Sequence, residues 1–227
     1  MPKVSVNGFS LYYEIQGDGE PVVLIPGFAA GRETWVLQTS SLSRDFRVIT
    51  FDPRGVSESD KPEGPQSISL LADDLAHLLQ ALGISKAHIV GASFGGFVAQ
   101  EFALRYPFMT RKLVLCCTSF GGPKHVQPEP ETLKMVAAAK KLNVSQFEAA
   151  TSFDVESRVG GIRSQTLVLS GDADEIVPVQ NSRNLAAQIP GATLRIIEGG
   201  SHTFFSERAD EFNQLVTEFI LGPQKGT

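Results

Sequence analysis

The run Gly91-Ala92-Ser93-Phe94-Gly95-Gly96 places one hydroxyl between small residues. It follows the apolar stretch Ala87–Val90 and opens the helical pattern Phe94–Tyr106, so a strand, a tight turn and a helix are expected in succession. In such a turn the central residue is held in a strained backbone conformation, and the residues two before and two after it crowd together. Glycine at 91 and 95 removes the side chains that would collide. Ser93 should therefore project beyond the carboxyl end of a sheet, at a helix N-terminus where free amides favour a developing negative charge. The chemistry this suggests is nucleophilic attack.

A serine hydroxyl needs a base, and the base needs an acid to orient it. If the chain order is serine, acid, histidine, only His125 and His202 follow Ser93. No strand end presents His125. His202 closes Glu198-Gly199-Gly200-Ser201-His202, just beyond the apolar stretch Leu194–Ile197, where open α/β sheets place their sites. His77 reads as a helix residue and His88 as a strand-entry residue. The acid should follow the stretch Thr166–Leu169, in Gly171-Asp172-Ala173-Asp174-Glu175-Ile176-Val177-Pro178. On spacing alone Asp172 and Asp174 are both candidates, with Glu175 a weaker third.

The elements that must position these groups alternate along the chain. Short apolar runs at Pro21–Ile25, Arg47–Phe51, Ala87–Val90, Lys112–Cys116, Thr166–Leu169 and Leu194–Ile197 read as buried strands. Helical patterns lie between or after them at Ser69–Leu82, Phe94–Tyr106, Pro178–Ile189 and Glu207–Ile220, which predicts a mostly parallel sheet with helices on both faces. Lys3–Val6 and Ser10–Ile15 flank Asn7-Gly8, the signature of an N-terminal antiparallel hairpin. From Phe120 to Gly161 the rhythm breaks. An insertion of roughly 40 residues, with helical patterns carrying Leu133, Val136, Ala137 and Leu142 and then Ser145–Thr151, reads as a short helical lid in preference to a crossover helix pair. The expected division is a core of residues 1–119 and 162–227 with a lid of residues 120–161.

Together, Gly91–Gly95, Gly171–Pro178 and Gly199–His202 resemble the three signature segments of the α/β-hydrolase fold superfamily, serine hydrolase branch. The similarity extends to Val22–Gly27 with Phe28 and to Asp52-Pro53-Arg54-Gly55-Val56-Ser57-Glu58-Ser59, so it covers nearly the whole chain. The resemblance implies an α/β-hydrolase fold with Ser93 as nucleophile, His202 as base and Asp174 as acid, Asp172 being a turn residue. It implies an oxyanion hole from the backbone N–H groups of Phe28 and Phe94. Three departures stand out: Pro26-Gly27 where relatives carry His-Gly, Ser57 where glycine is common, and a shortened cap. The last suggests a more open site, or a homodimer whose partner covers it. Arg54 reads as a structural charge and Trp35 as packing.

A serine nucleophile excludes the branches that use aspartate for dehalogenation or epoxide opening. What the resemblance implies is a carboxylesterase or 3-oxoadipate enol-lactonase-like enzyme cleaving small, largely apolar esters or lactones, with Phe28, Phe94, Phe120, Phe153 and Val177 as an apolar wall. Alternatives are a cofactor-free perhydrolase, a carbon–carbon bond hydrolase on the same residues, or a non-turnover ligand receptor. A dinucleotide oxidoreductase is disfavoured because the chain holds no Gly-x-Gly-x-x-Gly.

Composition sets the outer bounds. The chain has 227 residues, 42% hydrophobic and 20% charged, enough for a sizeable core. A net charge of −5 without long basic runs argues against a nucleic-acid partner, and the longest apolar runs are too short to span a membrane. Residues 1–8 show no apolar leader, so a cytoplasmic location is expected. No metal or cofactor is expected. The two cysteines, Cys116 and Cys117, should be reduced and, on a strand, point to opposite faces.

Overall fold

Alternation along the strands decides which side of the sheet each residue covers. In the computed structural model, which describes residues 2–222, the strands are β1 (Lys3–Val6), β2 (Phe9–Gln16), β3 (Glu20–Ile25), β4 (Phe46–Phe51), β5 (Ala87–Ala92), β6 (Thr110–Cys116), β7 (Gln165–Gly171) and β8 (Thr193–Ile197). They form one sheet in the order β1-β2-β4-β3-β5-β6-β7-β8. The first two pairings, β1 with β2 and β2 with β4, are antiparallel and the rest parallel. Asn7 and Gly8 take φ of 44° and 80° at the hairpin turn, the left-handed conformations that a two-residue connection requires.

The helices are α1 (Val36–Leu42), α2 (Ile68–Ala81), α3 (Phe94–Arg105), α4 (Pro130–Ala138), α5 (Val144–Thr151), α6 (Val179–Gln188), α7 (Phe204–Glu207) and α8 (Ala209–Leu221). Val23, Ile25, Ile89, Leu113 and Leu115 pack with Leu75 of α2, Phe102 of α3 and Leu185 of α6 on one face. Their strand neighbours Val22, Leu24, Val90 and Val114 pack with Leu42 of α1 and Phe212 and Val216 of α8 on the other. The central strands are thus apolar on both sides because each side meets helices. Trp35 is fully buried on the second face, stacked on Phe212. Arg54 forms a two-pronged ion pair with buried Asp74 at 2.7 Å and lies over the Phe9 ring. Among the described residues, no helix is long and apolar enough to cross a membrane.

Two expectations are corrected. The last helix does not run unbroken from 207 to 220: Arg208, at φ −123° and ψ 52°, separates α7 from α8. Nor do the cysteines face apart. Cys117 leaves the strand at φ 48°, which swings its Sγ to 3.7 Å from that of Cys116; both are free and buried.

His88 carries a pH dependence. Its Nε2 lies 2.9 Å from Glu20, but the ring is 3% exposed and Nδ1 has no partner, so burial outweighs the carboxylate and lowers its pKa. Glu20 is lowered too, because a neutral imidazole N–H already stabilises its carboxylate. Burial alone lowers His125 in the same way. Between the depressed folded values and an unfolded value of about 6.5 the unfolded chain binds more protons, so stability is lost as pH falls below about 6.5. Thermal melts should show Tm dropping from pH 7.5 to pH 5, with a shallower drop in His88→Gln. Parallel curves for the two proteins would refute this account.

Candidate active site

β5 ends at Ala92 and α3 begins at Phe94, so Ser93 makes the turn alone, at φ 53° and ψ −119°. That conformation is strained for any residue with a Cβ. It is held from both sides. The Ser93 amide donates to the Cys116 carbonyl at 2.8 Å, and the Ser93 carbonyl accepts from the Thr118 hydroxyl and the Gly96 amide, each at 2.9 Å. The flanking glycines are sterically obligatory. A Cβ on Gly91 would stand 2.3 Å from the Gly95 carbonyl oxygen, and one on Gly95 would stand 2.3 Å from the carbonyl oxygen of Ile25, at the end of β3.

The loops after β7 and β8 are sewn together. Asp172 and Ala173 amides donate to the Ile197 and Gly200 carbonyls, and Gly199 donates to Asp172 Oδ1 at 2.6 Å. A Cβ on Gly171 would overlap the Gly200 carbonyl, so the two chains approach as closely as backbones can. Asp172 is spent on this junction and is exposed. Asp174 is buried instead. Its Oδ1 accepts the amides of Ile176 and Val177 at 2.9 and 2.8 Å, and its Oδ2 faces His202 Nδ1 at 2.8 Å. The opposite ring nitrogen, Nε2, lies 3.0 Å from Ser93 Oγ. A carboxylate accepting from Nδ1–H leaves Nε2 free to accept the serine proton, so the ring's orientation and tautomer are set by Asp174.

The loop after β3 completes the rim. Gly27 lies so close to Ser93 that a Cβ there would stand 3.8 Å from the serine Cβ. Ala29, at φ 52°, donates its amide to Gln146 of α5 at 2.8 Å. Among the described residues, neither the Phe28 nor the Phe94 amide donates to a protein acceptor. The latter is one of the unpaired donors that open any helix.

A cavity of about 720 Å³ opens over Ser93 and His202. Phe28, Phe94, Phe153 and Val177 line it, together with Phe97, Phe147, Ile176 and, from α4, Leu133, Met135 and Val136. Phe120 does not. Its side chain is 2% exposed and packs into the core beneath, while its neighbours Ser119 and Gly121 reach the cavity. The backbone at 120 is tied down by Val155, whose amide donates to the Phe120 carbonyl. Phe97 was legible as the residue one helical turn beyond Phe94. His125 also lines the cavity, with Nδ1 2.9 Å from Ser119 Oγ. It comes from the 120–161 segment, whose course over the sheet no local pattern foretells. Leu142, assigned to the same apolar face as Leu133, is instead 67% exposed.

Cys117, Asp174 and His202 offer ligand atoms within 4.8 Å of one another, a set that sequence spacing hides because three strand ends contribute to it. Both Asp174 oxygens already accept hydrogen bonds, and Cys116 and burial push the Cys117 thiol up, which keeps it protonated. The set therefore suits a hydrogen-bonded relay better than a cation.

A mostly parallel sheet with an antiparallel start, and a serine at the strained turn beyond its central strand, defines an α/β-hydrolase. A family model described as alpha/beta hydrolase fold matches residues 20–151, and the chain belongs to that family. A second, described as TAP-like protein, matches residues 134–226. The chain is 29% identical to "Putative carbamate hydrolase RutD" of Azorhizobium caulinodans, over 96% of this chain and 98% of that one. It is 30% identical to a poly(3-hydroxyalkanoate) depolymerase of Ectopseudomonas oleovorans, over 88% and 84%. Among solved structures, the enol-lactonase from Burkholderia xenovorans LB400 superposes with a TM-score of 0.84 at 26% identity, covering 97% of this chain and all of the other.

Proposed function

We propose that the protein is a serine hydrolase cleaving carboxylic esters or lactones of small, largely apolar substrates through an acyl-enzyme. The observation that carries this reading is the unbroken hydrogen-bonded line from Ser93 Oγ through His202 to Asp174, opening into an apolar cavity. The names of three relatives, an enol-lactonase, a poly(3-hydroxyalkanoate) depolymerase and a putative carbamate hydrolase, support it.

The steps follow from the geometry. Ser93 Oγ attacks the substrate carbonyl carbon while its proton passes to His202 Nε2. The amides of Phe28 and Phe94 stabilise the oxyanion, each donor of this kind being worth about 2.7–4 kcal/mol in the transition state. The carbon–oxygen bond then breaks, and the leaving alkoxide takes the proton from Nε2. Water attacks the acyl-enzyme, gives a proton to Nε2, and Ser93 regains it as the acid departs. Asp174 holds the imidazole and stabilises its charged form throughout. Residues 120–161 serve as a short lid, Gln146 fixing the Ala29 amide so that its neighbour Phe28 keeps its position.

The test is a panel of short aryl esters, long acyl esters and lactones. Sustained multiple turnover on at least one class is expected, with Ser93 covalently labelled by a fluorophosphonate. A single stoichiometric burst would point to a receptor instead. Sedimentation of the protein reads the oligomeric state: a dimer is expected if a second copy covers the short lid.

A further inference from the structure

Four cations of the lid region are engaged in ion pairs. Lys124 pairs with Glu156, Lys134 with Glu131 at 2.7 Å, Lys140 with Glu148 at 3.1 Å and Arg158 with Glu101 at 2.7 Å. Among the described residues, no lysine, arginine, aspartate or glutamate lines the cavity. A substrate carboxylate buried there would find no cation, and burying a charge without a partner costs far more than burying a neutral polar group.

Among the polar side chains that line the cavity apart from the reacting groups, which include Thr34, Gln127 and Thr151, Ser119 and His125 form a pair. Ser119 Oγ accepts the Gly121 amide at 3.1 Å and lies 2.9 Å from His125 Nδ1. Whichever atom of that pair donates, Nδ1 is engaged with Ser119, and Nε2 is the ring nitrogen left over. Nε2 has no partner among the described residues and is not among the buried unpartnered atoms, so it is a free hydrogen-bonding atom on a ring that lines the cavity.

We propose that the cavity selects substrates whose buried part is uncharged, and that His125 Nε2 holds a neutral hydrogen-bonding group on that part, such as a hydroxyl or primary amide. The substrate class is therefore an acyl ester or lactone with a neutral polar group along its chain, not a dicarboxylate-derived one. This rests on the serine hydrolase reading above.

The experiment compares three p-nitrophenyl esters with eight-carbon acyl chains ending in methyl, primary amide or carboxylate. The carboxylate-tailed ester should have a kcat/KM at least about 100-fold below the amide-tailed one. Leu133→Arg, at a half-exposed position on the cavity wall, should narrow that gap at least about tenfold. His125→Phe should lower the amide-over-methyl ratio about tenfold, the worth of one hydrogen bond. Equal turnover of the carboxylate- and amide-tailed esters overturns the charge selection. An unchanged amide-over-methyl ratio in His125→Phe overturns the anchor. If no ester is turned over and Ser93 resists the fluorophosphonate, the hydrolase reading has failed. Calorimetric binding of octanamide against octanoate then decides the charge selection by itself, equal affinities overturning it.

Discussion

Ser93→Ala is expected to lower kcat on the best ester of the panel by about a million-fold, the scale seen when a serine nucleophile of this kind is removed. The protein should remain folded. Alanine meets the same strain at φ 53°, and the side-chain hydrogen bond it removes is the 3.0 Å link to His202, worth about 1 kcal/mol, so Tm should move by no more than a few degrees. Any residual rate should be insensitive to fluorophosphonate. If the variant retains wild-type turnover, the hydroxyl is not the nucleophile, however well placed it is.

Asp174→Asn should cost about ten-thousand-fold in kcat with little change in KM. The amide oxygen can still accept from the Ile176 and Val177 amides, so the turn survives. The amide nitrogen would face His202 Nδ1 and donate to it. That forces the hydrogen onto Nε2, which can no longer accept the proton of Ser93. Asp172→Asn is the control, since an asparagine oxygen can still receive the Gly199 amide; its activity should stay within a few-fold of wild type. A reversal of the two effects would move the acid from 174 to 172. The Asp172 position already argues against that outcome, because its carboxylate faces the backbone of the His202 loop while Asp174 faces the ring.

The strands were legible because each is a short apolar run bounded by turn residues, and the hairpin because Asn7-Gly8 is the sequence its backbone needs. The gap between α7 and α8 was not legible. The residues on either side of Arg208 keep helical spacing, and only the dihedral angles at that one residue break the run. The glycines around Ser93 were expected to avoid each other. The structure adds that Gly95 mainly avoids β3, a neighbour in space contributed by residues seventy positions away.

The sequence by itself determined the strand–helix alternation, the strained serine turn and the short list of acid and base candidates, because these are written in local spacing and in residue types with few alternative uses. Tertiary structure alone decided which partners meet: that His202 spans Asp174 and Ser93, that Phe120 turns inward while Phe97 and His125 reach the cavity, and that Cys117 sits beside the same carboxylate. Those outcomes depend on how loops from separate strands come together at one edge of the sheet, and on backbone angles such as that of Cys117, which no periodicity in the chain encodes.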